Sequence, residues 1–168
     1  GILYHPIKSG ESFRFKISDF AKGPGLIKTL CKTHYIARII ARGAPAGSLA
    51  YLAWKKTGIP FLVESFEPHA DYMLESKVWS RFDLRFILQH YSEQMQKKHS
   101  AGLLPVTVNY QIQLREELVE SKKIKVVPCV VNENQFAFNM EVRLKVRKEL
   151  RIDQGKIVGL YAGKYDGL

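Results

Sequence analysis

Four side chains that can move a proton or hold a substrate hydroxyl, Glu64, Glu67, His69 and Asp71, fall within eight positions. They lie just beyond the apolar run Pro60-Phe61-Leu62-Val63. Carboxylates and an imidazole at a strand end suit general acid–base work or hydroxyl recognition, and Ser65 adds a neutral donor and acceptor. The same residues also read as an ordinary solvated loop. A hydrolytic carboxylate pair does not follow, because the separation that decides such chemistry is a property of the fold. His69 and Asp71 could begin a metal site, but His5, His34, His90 and His99 are scattered, and no metal is expected.

A second group sits upstream. Arg42-Gly43 joins a cation to a turn that opens a helix, and free N–H groups at a helix N-terminus attract anions, so Arg42 could clamp a phosphate or carboxylate. The alternative is an exposed charge beside a turn glycine. Gly43 and Gly47 do not complete a dinucleotide-binding G-x-G-x-x-G run. Ser48 is not in a G-x-S-x-G elbow, and Cys129 follows a proline, so covalent catalysis has no support.

Placing these groups requires strands that end beside them. Short β-branched or aromatic runs alternate with longer helical stretches, which predicts a parallel sheet. Ile2 to Tyr4 reads as a strand remnant, and Phe13 to Lys32 as a helical region broken at Gly23-Pro24-Gly25. Tyr35 to Ala41 is an expected strand, and Ala46 to Lys56 a helix closed by Gly58. After the strand Pro60 to Glu64 comes a long, interrupted helix from Asp71 to Lys98. Leu104 to Val108 is the next strand; Asn109 caps a helix from Tyr110 to Ser121, and Lys122 to Val127 forms another strand. A charged helix, Asn139 to Leu150, and a strand, Lys156 to Ala162, complete the chain. The expectation is an α/β fold, a Rossmann-like open parallel sheet with helices on both faces. Ligands of such sheets sit at the carboxyl ends of the strands. That rule selects Arg42 to Pro45, Ser65 to Asp71 and Asn109-Tyr110.

The formal net charge of +10 favours anionic partners: nucleotide diphosphates, nucleic acid or an anionic membrane surface. No run is long and apolar enough to span a bilayer, and a soluble, cytoplasmic setting is expected. Cys31 and Cys129 stand far apart and read as two buried thiols. Trp79, Phe82, Phe86, Leu88 and Tyr91 interleave with Lys77, Arg81 and Arg85. Such a face can bind nucleic acid or a membrane, though the expectation is aromatics in the core with a solvated basic face. The chain begins without Met and stops at Gly167-Leu168 directly after a strand-like run, which reads as a fragment.

The pieces have a familiar order. Ile39-Ile40-Ala41-Arg42-Gly43 followed by Thr57-Gly58-Ile59-Pro60-Phe61 resembles the middle of the N-terminal domain of family 4 glycosyltransferases. Lys123-Ile124-Lys125-Val126-Val127-Pro128 leading to Asn132 and Phe136 is similar to the family's exit from that domain. Lys156-Ile157-Val158-Gly159-Leu160-Tyr161-Ala162-Gly163-Lys164 resembles the first strand of its second domain. The resemblance implies a GT-B architecture truncated here: an acceptor-side Rossmann-like domain over residues 1–138, and over 139–168 the linker helix and first strand of a donor-binding domain. It implies transfer of a sugar from a nucleotide-sugar donor to a glycan or lipid-linked acceptor with retained configuration, without cofactor or metal. Glu64 and Glu67 would be catalytic; Arg42, Gly43, Ser65 and His69 would line the acceptor side; Gly163 and Lys164 would contact the donor. The sequence departs from the family at Glu64-Ser65-Phe66-Glu67, where many members have histidine, and at Val130-Val131-Asn132 in place of Gly-Val-Asp. The resemblance further implies polysaccharide assembly at the inner face of a membrane, with nucleic acid disfavoured. The rival readings are a non-catalytic Rossmann-like module that binds a nucleotide or another anion, and a domain that docks on an anionic membrane without chemistry.

Overall fold

A computed structural model describes His5 and residues 13–161. Two compact units divide at Cys129 and Val130. The expected Ile2–Tyr4 strand lies outside the described residues.

The first unit opens with α1 (Phe13–Thr33), an unbroken helix with Pro24 inside it. The expected break at Gly23-Pro24-Gly25 is therefore corrected. Pro24 is fully buried, and a Cβ at Gly23 would stand 3.1 Å from Leu49 Cδ2. The small residues thus let α1 approach the next helix closely, and that packing overrides the local breakers. β1 (Ile39–Arg42) follows, shorter than expected, because Tyr35 adopts a left-handed φ of 53° and cannot continue a strand.

α2 (Ala44–Thr57) carries Pro45 in its first turn and ends at Gly58, whose φ of 72° is the left-handed helix stop. β2 (Phe61–Ser65) leads into α3 (His69–Glu75), and α4 (Leu84–His99) follows after a turn; Asp83 caps α4 by accepting from Arg85 N at 2.8 Å. β3 (Gly102–Pro105) and α5 (Val108–Glu116) complete the repeat. Thr107, rather than Asn109, is the cap of α5, accepting from Tyr110 N at 3.2 Å.

The strands lie in the order β1-β2-β3, all parallel, with Arg42 opposite Glu64 and Glu64 opposite Leu104. The expected strand at Lys122–Val127 is reduced. Residues Ser121–Lys123 form a 3-10 turn, after which Ile124 bridges Leu103, and Lys125 N and Val127 N donate to Leu103 and Pro105 carbonyls. This is a Rossmann-like open parallel α/β sheet with helices packed around it. Ala41, Val63, Leu103 and Ile124 share one face and pack with Ala50 and Tyr51 of α2 and Tyr110 and Leu114 of α5. Sequential parallel strands joined by right-handed crossovers bring the connecting helices to that face. The other face presents Ile40, 68% exposed, with Arg42 and Glu64 at its carboxyl edge.

In the second unit α6 (Met140–Glu149) is capped by Asn139, which accepts from Val142 N at 3.0 Å. Arg147 of α6 reaches forward to the carbonyls of Asp153 and Lys156. The described part of the expected Lys156–Ala162 strand, residues 156–161, has no strand pairing, and Ile157 is fully exposed. A β-branched run becomes a strand only beside a partner ladder, and none pairs with these residues among the described residues. Cys31 is buried as expected, but Cys129 is exposed. It lies two residues past Val127, whose N–H makes the last hydrogen bond to the sheet among the described residues.

Candidate functional site

The carboxyl ends of β1 and β2 set the first half of the site. In-register pairing puts Arg42 and Glu64 side by side on one face, and Arg42 Nε lies 3.5 Å from Glu64 Oε1. The Arg42 guanidinium also stacks over Phe66, 5.6 Å from the ring centre. With its side chain 68% exposed, Arg42 stays accessible to an incoming anion. Gly43 follows at once, donating its N–H to Glu64 O at 2.7 Å. Its φ of 85° and ψ of 154° belong to a region that is essentially reserved for glycine. The turn therefore joins the two strand ends while it opens α2.

β2 delivers the second half. Alternation buries Ser65 on the core side, where its hydroxyl donates to Glu67 O at 3.0 Å and folds the loop back on itself. Tyr110 is buried beside the core, and burial raises its pKa above the usual tyrosine range. His69 opens α3 with its ring edge-on to Trp79 at 5.6 Å. Burial lowers the His69 pKa, opposed by the nearby Glu67 charge, which favours the neutral imidazole. Asp71 Oδ1 lies 3.6 Å from His90 Nδ1 of α4. Glu67, Pro68, Asp71, Tyr72 and Glu75 together with Gln113 of α5 line an open depression of about 310 Å³.

The geometry thus joins Arg42, Gly43 and Glu64 at the β1–β2 end, with Ser65 and Glu67 at the end of β2 and in the adjoining loop and His69 and Asp71 in the first turn of α3. Glu64 does not line the depression that Glu67 and Asp71 share. Gly163 and Lys164 lie outside the described residues. Among the described residues no three His, Cys, Asp or Glu side chains are grouped to hold a metal ion.

One residue of the site escapes sequence reasoning. Glu93 of α4, 5% exposed, accepts from Ala70 N at 3.1 Å and from Gln89 Nε2 at 2.8 Å. Burial pushes its carboxyl up to about 7, against the hydrogen bonds from Gln89 and Ala70 and the Lys97 charge. Glu93 therefore fastens the first turn of α3, directly behind His69, to α4. Its neighbour Gln96 donates to Ala44 O at 3.1 Å and Ser48 Oγ at 3.2 Å, and so ties the first turn of α2 to the same helix. The sequence signal was a polar stripe, Gln89, Ser92, Glu93 and Gln96, at helical spacing.

No protein-family model and no curated protein sequence matches this chain. Among solved structures it is similar to a UDP-N-acetylglucosamine 2-epimerase from Rickettsia bellii, with a TM-score of 0.51 at 13% sequence identity. The match covers 85% of this chain and 34% of the other, so the chain spans about a third of that structure. At this identity the likeness concerns the fold alone, an open parallel α/β sheet with helices around it.

Proposed function

We propose that this chain is the acceptor-side module of a glycosyltransferase resembling family 4, and that its parent moves a sugar from a nucleotide-sugar donor to a glycan or lipid-linked acceptor. The observation that carries this reading is the convergence of Arg42, Glu64 and the Ser65–Asp71 loop at the carboxyl ends of adjacent parallel strands, where open α/β sheets bind ligands. The neighbouring structure is named for an enzyme of a nucleotide sugar, which agrees with a donor of that class. The order of motifs from Ile39 to Lys164 supports transfer in particular.

In this reading Arg42 holds an anionic or hydroxyl-rich acceptor group while the Glu64 charge orients its guanidinium. Glu67 and His69 hydrogen-bond acceptor hydroxyls, and Glu67 is the group able to draw off a proton. Gly163 and Lys164 begin the donor side, whose remaining groups belong to a second domain. No cofactor or metal enters the proposal. The setting that follows is the cytoplasmic side of a membrane on which polysaccharide is assembled.

Substitution separates this reading from a module that only binds. In the full-length protein, Arg42→Ala and Glu67→Ala should each lower kcat/KM for transfer by about tenfold or more while unfolding midpoints stay close to the parent's. Unchanged turnover in both variants would remove these residues from the site.

A further inference from the structure

Helix α4 turns a polar face to the rest of the first unit. Sequence reasoning assigned the aromatics of this segment to the core, and the structure corrects it: Phe82 and Tyr91 face solvent, Trp79 and Phe86 are half-buried, and Glu93 and Gln96 are buried. The seam with α2 is closed by neutral groups, Gln96 and Ser92, the latter donating to Ser48 Oγ at 2.6 Å. The seam with α3 is closed by ionisable ones. Among the described residues two polar ties join α3 to α4: Glu93 accepts from Ala70 N at 3.1 Å, and His90 Nδ1 lies 3.6 Å from Asp71 Oδ1. Pro68, which precedes α3, has no side-chain acceptor, so Glu93, 23 residues after Ala70, supplies from another helix the cap that α3 lacks.

Apart from those ties α3 is lightly held. Of its seven residues Ala70 alone is fully buried, and Tyr72 is 50% exposed. Its far end closes on itself: the N–H groups of Ser76, Lys77 and Val78 return to the Tyr72, Leu74 and Met73 carbonyls, with Lys77 at a left-handed φ of 59°. A short segment with so few buried contacts opens at lower cost than the sheet beside it. Asp71, Tyr72 and Glu75 ride on α3 and line the depression described above, to which α5 contributes Gln113, so a movement of α3 reshapes it. The groups around Glu93 decide when the tie holds. Gln89 of α4 donates to it at 2.8 Å; Lys97 of α4, engaged by Glu117 of α5, brings a positive charge; Asp71 of α3 brings a like charge, and the Tyr110 hydroxyl of α5 faces it as well. Burial outweighs the groups that favour the anion and pushes the carboxyl up to about 7. An ionised Glu93 regains water if the first turn of α3 lifts away.

We infer that α3 is a movable wall of this depression and that the Glu93 side chain is its latch, closed while the carboxyl is protonated and released when it is charged. The released form is a minor one within the folded protein, and the inference does not depend on the proposed activity. The test is native-state hydrogen exchange of the full chain at pH 6 and pH 8, with and without low urea, read by mass spectrometry of peptides spanning 66–78 and 44–57. After correction for intrinsic exchange, the opening constant of α3 should rise about tenfold from pH 6 to pH 8, the ratio that follows for one carboxyl at about 7 when closed and 4.5 when open. Helix α3 should exchange faster than α2 at both pH values and depend little on urea, since a local opening exposes little surface. Glu93→Gln keeps the accepting oxygen but cannot ionise, and should reduce the rise to less than about twofold. Asp71→Asn, which removes the like charge, should also shrink it. Circular dichroism matching the parent shows that both variants are folded. No rise in the parent, or an undiminished rise in Glu93→Gln, would overturn the latch. So would equal protection of α3 and α2 with the same urea dependence, because α3 would then open only when the whole unit unfolds.

Discussion

Replacing Glu93 with Gln should stabilise this protein above neutral pH and leave it almost unchanged in mild acid. Glu93 is buried between α3 and α4, and burial raises its carboxyl from an ordinary 4.5 to about 7. The folded state therefore holds the proton more tightly than the unfolded chain does. The stability this contributes is fully present below pH 4.5 and is lost as pH rises to about 7, because a charge must then be kept out of water. The difference between those two values corresponds to about 3 kcal/mol at full ionisation. Gln keeps the side-chain oxygen that accepts from Ala70 N and Gln89 Nε2 and never ionises. Urea unfolding of parent and variant at pH 5 and pH 8 isolates the effect, since every other titrating group cancels in the difference. The variant should gain about 2–3 kcal/mol at pH 8 and much less at pH 5, with equal m-values. A gap of the same size at both pH values, or a variant less stable at pH 8, would refute the buried-carboxyl argument.

Two backbone and packing predictions follow from the same site. Gly43→Ala places a Cβ in open space but at a φ of 85°, so a loss of about 1–3 kcal/mol measured by denaturant would report backbone strain alone. Gln96→Ala removes the donor to Ala44 O and Ser48 Oγ and should cost about 1–3 kcal/mol by thermal or urea unfolding; a neutral result would mean that water replaces the amide without penalty.

The sheet was legible because its signals are local. Apolar runs located β1 and β2 and placed β3 two to three residues late, at Leu104–Val108 instead of Gly102–Pro105, while Gly58 and Asn139 marked a helix end and a helix start through chemistry that needs no tertiary partner. The carboxyl-end rule then selected Arg42 and the Ser65–Asp71 loop, which the fold does bring to adjacent strand ends. What escaped depends on distant contacts. Gly23-Pro24-Gly25 looks like a break until Leu49 is seen against Gly23. Thr107 displaces Asn109 as a cap because β3 stops at Pro105 and α5 starts earlier. Helix α4 misled most: Leu84, Ile87, Leu88 and Tyr91 are exposed while Glu93 and Gln96 are buried, and periodicity cannot tell which stripe faces inward when a polar one has partners such as Ala44 O and Ala70 N waiting for it. Glu93 was hidden for that reason.

The central claim is sugar transfer from a nucleotide donor. The most direct measurement is mass spectrometry of the full-length protein incubated with a panel of nucleotide sugars, followed by detection of free nucleotide and of transferred or hydrolysed sugar. Nucleotide should be released from one donor, and Arg42→Ala and Glu67→Ala should each reduce that release. No release from any donor by a well-folded protein that still binds nucleotide would contradict it and leave a module that binds without chemistry.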